Sequence, residues 1–215
     1  MTALITGANR GVGRALFDAL QARGDTVIGT HRGLTGGDWI ALDVADPASV
    51  RAMADTVGDR PIDLLVCNAG VFEDRDMALD DGYPADMWAR EFAVNTTGVF
   101  LTVQALLPNL RAARGKVAIV SSQLGSQTIA SGGSYIYRAS KAAAVNIGRN
   151  LAVDLRDDGI AVGIYHPGWV QTDMGGATAA ITPTTSAAGL IDRFASLTLD
   201  NSGTFETYDG QTHPL

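Results

Sequence analysis

The sequence is poor in cysteine, in histidine and in long apolar runs. Its 215 residues include one cysteine, Cys67, and three histidines, which excludes an intramolecular disulfide and predicts no metal site. The excess of Asp and Glu (23) over Lys and Arg (16) gives a net charge of −7. That charge disfavours nucleic acid and anionic membranes as partners. The N-terminus lacks the basic and apolar regions of a secretion signal, and no apolar stretch reaches the roughly 18–20 residues of a membrane span. We therefore expect a cytoplasmic protein.

Short β-branched runs alternate with amphipathic stretches along the whole chain. This alternation is typical of βαβ units around a parallel sheet. Strands are predicted at 3–6, 26–30, 39–42, 63–67, 116–121, 160–165 and 203–208, and helices at 13–23, from 46 onward, 84–113, 134–158 and 184–196. The length suits one domain, so we predict a single Rossmann-type α/β domain over 1–215. Its doubly wound parallel sheet has about seven strands in the order 3-2-1-4-5-6-7, with helices on both faces.

A glycine cluster, Thr6-Gly7-Ala8-Asn9-Arg10-Gly11-Val12-Gly13, joins the first strand to the first helix. Glycines at such a junction let the backbone turn tightly and approach a diphosphate, whose charge the helix N-terminus attracts. The spacing differs from the common Gly-x-Gly-x-x-Gly pattern, and a glycine loop alone is a weak signal. Its position between a strand and a helix favours a dinucleotide site over a plain loop.

The end of the second strand indicates which dinucleotide binds. An acidic residue about 20 positions beyond the glycines would hold a ribose 2′-hydroxyl, but His31 and Arg32 stand there. Arg32, together with Arg10 in the glycine loop, can bind a 2′-phosphate through charge-assisted hydrogen bonds. Either arginine alone would more simply be a solvated surface charge. Their joint placement predicts NADPH in preference to NADH.

Tyr137 and Lys141 lie one helical turn apart after the fifth strand, hence on one helix face. A phenol with an ordinary pKa near 10 exchanges protons poorly at neutral pH unless a nearby ammonium stabilises the phenolate. The hydroxyl of Ser121 or Ser122, at the end of the fifth strand, can hold a substrate carbonyl oxygen. By spacing alone, a surface Tyr-Lys pair without chemistry remains an alternative.

Taken together, these motifs resemble the short-chain dehydrogenase/reductase family over nearly the whole chain. The resemblance rests on the glycine loop, Asp43-Val44, Asn68-Ala69-Gly70, Asn95, Tyr137 with Lys141, and the segment Pro167 to Thr172. It implies a catalytic set of Asn95, Ser122, Tyr137 and Lys141. It implies a cofactor site made of Gly7, Asn9, Arg10, Gly11, Val12, Gly13, His31, Arg32, Asp43, Val44, Asn68, Ala69, Gly70, Tyr137, Lys141, Pro167, Gly168, Val170 and Thr172.

Within the family, four further segments resemble the C-factor and sniffer-type carbonyl reductases: Ser122 to Ser126, Gly132 to Arg138, His166 to Gly176 and Tyr208 to Gly210. Ser122 lies farther before Tyr137 than the serine of most members does, whereas Tyr135 keeps the common spacing. However, Tyr135 is followed one turn later by Ala139 rather than lysine, so we retain Tyr137. Cys67 replaces a family asparagine, and we interpret it as a small buried apolar residue.

The resemblance implies NADPH-dependent reduction of aldehyde or ketone carbonyls. Tyr137 would donate the proton, Ser122 would orient the oxygen, Lys141 would lower the pKa of Tyr137 and bind the nicotinamide ribose, and Asn95 would support a relay water. The family implies a homodimer or homotetramer. Two variable loop segments, at about 73–84 and 172–183, would set substrate specificity, and the shortness of the second predicts an open cleft.

Two other classes of function remain open. The chain could bind NADP(H) and act as a C-factor-type signalling or regulatory protein with little catalysis, because fold alone does not settle function. It could also be a sugar-nucleotide epimerase of the extended type, but too few residues follow Thr172 to build a substrate domain.

Overall fold

A seven-stranded parallel sheet forms the centre of the structure, a computed structural model that describes residues 1–33 and 35–215. The strands are β1 (Thr2–Ile5), β2 (Thr26–His31), β3 (Trp39–Ala41), β4 (Leu64–Cys67), β5 (Lys116–Val120), β6 (Ala161–His166) and β7 (Phe205–Thr207). Their order is β3-β2-β1-β4-β5-β6-β7, and every neighbouring pair is parallel. The predicted fold class is therefore confirmed, including the strand order.

Helices cover both faces of the sheet. They are α1 (Gly11–Ala22), α2 (Pro47–Val57), α3 (Ala85–Phe92), α4 (Gly98–Ala105), α5 (Leu107–Ala113), α6 (Tyr135–Asp154) and α7 (Pro183–Ser196). Alternate strand residues point to opposite faces: Leu4 belongs to the apolar cluster with α2, α4, α5 and α6, whereas Ala3 and Ile5 belong to the cluster with α1 and α7. Of the helices that the structure describes, none is both long and apolar enough to cross a membrane.

The helix predicted over 84–113 is wrong in one respect, because the structure divides it. A five-residue π-helical segment, Ala93–Thr97, separates α3 from α4. The helical conformation is interrupted again at Leu106, whose φ and ψ are −98° and 9°. Pro108 lies just beyond this break, in the first turn of α5. Because proline has no N–H to donate, it favours the start of a new helix over continuation of the old one.

The other boundaries differ from the predictions at their ends. Helix α6 stops at Asp154 instead of 158, and Gly159 then turns with a φ of +73°. The last strand is shorter than predicted, at three residues. These differences do not affect the sheet itself. The carboxyl ends of β1, β4, β5 and β6 lie along one edge, where open parallel sheets bind their ligands.

Candidate active site

A cleft of about 670 Å³ runs along the carboxyl edge of the sheet. Most of the predicted cofactor residues line it: Gly7, Asn9, Arg10, Gly11, Val12, Gly13, His31, Arg32, Asp43, Val44, Asn68, Ala69, Gly70, Tyr137, Lys141, Pro167 and Thr172. Four predicted residues are outside this lining: Asn95, Ser122, Gly168 and Val170. The cleft therefore joins the glycine loop at one end to the Tyr137–Lys141 pair at the other.

The glycine loop has a backbone that only glycine accommodates easily. Gly7 and Gly11 have φ values of +64° and +54°, which L-residues with a side chain rarely adopt. A Cβ at Gly13 would lie 2.3 Å from the carbonyl oxygen of Gly7 and 2.5 Å from Asn68 Nδ2. Helix α1 begins here with no side-chain cap from Arg10. A tight turn before an uncapped helix N-terminus is the arrangement that binds diphosphates.

Asn68 fastens the glycine loop to the end of β4. Its Nδ2 donates to the carbonyl oxygens of Thr6 (3.0 Å) and Gly7 (3.1 Å). In return, the hydroxyl of Thr6 accepts from the amides of Asn68 and Ala69, both at 3.0 Å. Asn68 thus fixes the shape of the loop through its side chain.

The two arginines predicted to bind a 2′-phosphate are placed differently. Arg10 Nη1 forms an ion pair with Asp173 Oδ2 at 2.8 Å across the cleft mouth, a contact that the sequence did not predict. Both side chains are exposed, so the pair contributes little to stability. Arg32 lines the cleft beside His31, whose Nδ1 accepts from the amide of Gly33 at 3.1 Å. Arg32 pairs with none of the carboxylates that the structure describes.

Tyr137 and Lys141 are both buried at the inner end of the cleft. Lys141 Nζ lies 5.8 Å from the centre of the Tyr137 ring and donates to the carbonyl oxygen of Val120 at 3.0 Å. Burial raises the pKa of Tyr137 to about 12 and lowers the pKa of Lys141 to about 8. The groups that lower the pKa of Tyr137 are Ser122 and Arg75, so an effect of Lys141 on that pKa stays a prediction.

The structure distinguishes the two candidate serines. The hydroxyl of Ser121 donates to the backbone carbonyl of Lys141 at 3.0 Å, which gives it a structural role. The hydroxyl of Ser122 accepts from the amide of Leu124 at 3.2 Å, keeps its proton available, and contacts Tyr137 closely enough to lower its pKa. Ser122 is therefore the serine that faces Tyr137.

Asn95 lies in the π-helical segment and is fully buried. Its Oδ1 accepts from the amide of Val71 at 2.9 Å, and its Nδ2 donates to Val71 O (2.9 Å) and to Ser140 Oγ (3.0 Å). A Cβ at Gly70 would lie 3.2 Å from Asn95 Oδ1 and 3.3 Å from Lys141 Nζ. The side chain of Asn95 therefore connects the loop after β4 to α6, close to the ammonium of Lys141. π-Helical turns are frequent at functional sites.

Sequence reasoning identified the segment 73–84 as a variable loop but missed the contacts that residues after Gly70 make with Tyr137. Phe72 stacks on Tyr137 with ring centres 4.0 Å apart, and the guanidinium of Arg75 lies 4.9 Å from the Phe72 ring. Asp74 and Glu91 are fully buried carboxyl groups beside this stack. No spacing or motif marked these residues, because their contacts join segments that are distant in sequence.

The segment after β6 closes the other side of the site. Gly168 has a φ of +87°, and a Cβ there would lie 2.6 Å from Ile181 Cδ1. Val170 pairs with Ile181 in an isolated parallel bridge, so the residues between them form a compact loop. Trp169, directly before this loop, is half exposed, and its Nε1 donates to the carbonyl oxygen of Gly175 within the loop at 2.9 Å.

Comparisons with known proteins agree with this geometry. A model of the short chain dehydrogenase family matches residues 1–181. The chain is 41% identical to C-signal of Myxococcus xanthus over 167 residues, which cover 77% of this chain and 99% of that protein. An NADPH-bound carbonyl reductase from chicken fatty liver superposes with a TM-score of 0.90 at 29% identity, covering 100% of this chain and 98% of the other. Carbonyl reductase Sniffer of D. melanogaster gives 0.91 at 26% identity, with 100% and 99% coverage.

These matches confirm the resemblance to the C-factor and sniffer types that the motifs indicated. The family model spans the glycine loop, the Tyr137–Lys141 pair and the Pro167–Gly168 segment. The strand order and the cleft at the carboxyl edge of the sheet are consistent with it. The chain is therefore a member of the short-chain dehydrogenase family of oxidoreductases.

Proposed function

We propose that residues 1–215 form a single NADP(H)-binding domain that reduces the carbonyl group of an aldehyde or ketone, with Tyr137 as the proton donor. The observation that carries this proposal is the buried pair of Tyr137 and Lys141 at the inner end of a cleft that begins at an uncapped, glycine-lined helix N-terminus. The buried side chain of Ser122 lies next to Tyr137. Two structural neighbours at 26% and 29% identity are carbonyl reductases, and one of them binds NADPH.

The cleft fits NADPH in shape and charge. The glycine loop lines the cleft directly before the uncapped N-terminus of α1, so it would hold the diphosphate. Arg32, beside His31, would bind the 2′-phosphate. Asp43 and Val44 would contact the adenine, while Lys141 would bind the nicotinamide ribose. Thr172 and the Pro167–Gly168 turn would flank the nicotinamide. Bound NADPH would supply the hydride.

The protein residues handle the proton. At neutral pH Tyr137 is protonated, since burial raises its pKa to about 12, so its hydroxyl can donate to the carbonyl oxygen as that oxygen gains charge. The hydroxyl of Ser122 would hold the same oxygen in place. The ammonium of Lys141 would stabilise the resulting phenolate. Asn95 would hold the loop after β4 against α6, near Lys141, through its hydrogen bonds to Val71 and Ser140.

The test is loss of NADPH absorbance against a panel of aldehydes, ketones and quinones. We expect Tyr137→Phe to lower turnover by about 10²–10⁴-fold, the usual worth of a general acid, with unchanged NADPH affinity. Tyr135→Phe is the matched control, because Tyr135 is exposed and has no lysine one turn on. Equal activity of the wild type and Tyr137→Phe would overturn the assignment.

The 41% identity to a protein named C-signal supports a second candidate, a signalling or regulatory protein that binds NADP(H) with little catalysis. Expression of Tyr137→Phe in a strain that lacks this chain separates the two. Rescue of the phenotype by the variant supports the signalling role, whereas rescue by the wild type alone supports the enzyme.

We also propose a cytoplasmic homodimer or homotetramer. Symmetric association is the usual state of soluble oligomers, and the family resemblance implies it here. Sedimentation at micromolar concentration tests this proposal, and a monomer would contradict it.

A further inference from the structure

Helix α6 carries Tyr137 and Lys141 but has no cap of its own. The residues before it, Gly132, Gly133 and Ser134, have φ values of +74°, +68° and +48°. Ser134 occupies the cap position, yet its side chain makes no capping hydrogen bond. The first amides of an α-helix lack partners within the helix and need an acceptor when they are buried.

Asp74 supplies that acceptor from a distant part of the chain. Its Oδ2 accepts from the amide of Ile136 at 2.7 Å, and its Oδ1 faces the amide of Tyr137 at 3.4 Å. The side chain has no exposed surface. A carboxylate at a helix N-terminus forms charge-assisted hydrogen bonds and interacts favourably with the helix dipole. The backbone of Tyr137 is thus held by a residue more than 60 positions earlier.

The loop that carries Asp74 is itself fixed against the site. Phe72, two residues earlier, stacks on the Tyr137 ring. The amide of Glu73 donates to Glu91 Oε1 at 2.6 Å. Asp74 therefore lies between two anchors, one on the ring of Tyr137 and one on α3.

A second buried carboxyl group, that of Glu91, lies close to Asp74. Burial raises the pKa of Glu91 to about 7, and the charge of Asp74 adds to this effect. Glu91 thus gains a proton more readily.

We propose that Asp74 is a positioning residue for Tyr137: it caps the catalytic helix from the loop after β4 and so sets where the phenol stands in the cleft. This inference rests on the proposed function. Misplacement of a reacting group by about 1 Å can lower turnover by about 10²-fold, so the cap is expected to influence kcat.

The test compares Asp74→Asn with Asp76→Asn. Asp76 is the same residue type in the same loop, but it is exposed, and the amides of Ile136 and Tyr137 donate to Asp74 instead. For Asp74→Asn we expect kcat per NADPH-binding site to fall about 10- to 100-fold, with NADPH affinity within about twofold of wild type. For Asp76→Asn we expect wild-type values.

A double-mutant cycle separates positioning from a general structural role. In the Tyr137→Phe background no phenol hydroxyl remains to be placed, so Asp74→Asn should add little further loss. An equal loss in both backgrounds, or an unchanged kcat in Asp74→Asn, would overturn the proposal. If Asp74→Asn does not fold, Asp74→Glu replaces it. That variant keeps the charge but displaces the carboxylate, and normal turnover by the folded variant would also refute the positioning role.

Amide hydrogen exchange provides a readout that does not need turnover. We expect faster exchange at Ile136 and Tyr137 in Asp74→Asn than in Asp76→Asn, and equal protection would overturn the inference. Failure of the proposed function can be distinguished from failure of this inference. In the first case the wild type and Tyr137→Phe would be equally inactive. The exchange result would still decide whether Asp74 caps α6.

Discussion

Replacing Gly13 by alanine tests how closely the glycine loop and the end of β4 are fitted to one another. The added Cβ would lie 2.3 Å from the carbonyl oxygen of Gly7, 2.5 Å from Asn68 Nδ2 and 3.1 Å from Ala8 Cα. Close carbon-to-oxygen contacts in proteins are about 3.3–3.6 Å, so the loop must shift by about 1 Å. The same shift breaks the hydrogen bonds that Asn68 donates to Thr6 and Gly7.

The cost follows from these two effects. Overpacking of a tightly filled site costs about 1–3 kcal/mol, and each lost hydrogen bond costs about 0.5–1.5 kcal/mol. The free energy of unfolding should therefore fall by about 2–6 kcal/mol. For a domain of this length, such a loss lowers Tm by roughly 4–24 °C. Because the displaced loop is the proposed diphosphate site, NADPH affinity should fall at least about tenfold as well.

Thermal unfolding followed by circular dichroism measures the first effect, and calorimetric titration with NADPH measures the second. Gly33→Ala is the control, since a Cβ there would meet the His31 ring at an ordinary 3.6 Å. A Gly13→Ala protein with the Tm and NADPH affinity of the wild type would refute this account of the loop.

Three further predictions follow from charge and burial. Arg32→Ala should weaken NADPH binding about 10- to 100-fold, because charge-assisted hydrogen bonds to the 2′-phosphate are lost. NADH has no 2′-phosphate, so its binding should not change. An equal loss of affinity for both cofactors in titrations would contradict the assignment. Burial lowers the pKa of Lys141 to about 8, so the buried ammonium destabilises the folded state at pH 7. Lys141→Met should therefore raise Tm while it abolishes turnover. A lower Tm of this variant would contradict the reasoning. Burial, with His213 nearby, lowers the pKa of His166 from 6.5 to about 4. Between pH 6.5 and 4 the unfolded state then binds more protons than the folded state, so stability present above pH 6.5 is lost as pH falls towards 4. His166→Asn should reduce the fall of Tm over this pH range. An unchanged dependence of Tm on pH would contradict the prediction.

The fold could be predicted because its signals are local and repeated. Alternation of strands and helices, with glycines at their ends, indicated the parallel sheet, and the crossover rule restricted its order. The division of the 84–113 helix was harder to predict. Pro108 is a visible signal for the break at Leu106, but nothing in the residues 93–97 marks a π-helical turn, which depends on how Asn95 and Thr96 pack.

The candidate site was predicted where its residues form compact motifs and missed where they do not. Tyr137 and Lys141 share a helix face, so spacing alone brings them together. Asp74 and Glu91 look like ordinary solvated acids in the sequence. They are buried because the loop after β4 folds back onto α3 and α6. Long-range packing of this kind produces no periodic pattern in the sequence. The ion pair of Arg10 with Asp173 was missed for the same reason.

The π-helical segment has a consequence for insertions and deletions in this part of the chain. Each residue of a helix turns the chain by about 100°, so removal of one residue from Ala93–Thr97 would rotate α4 relative to α3. Asn95 and Thr96 both bond to Ser140, through the side-chain oxygen and the carbonyl oxygen of that residue. A chain one residue shorter here could keep every other motif and still lose the contact between this helix and the catalytic one. The number of residues in this segment is therefore as much a part of the site as their identity.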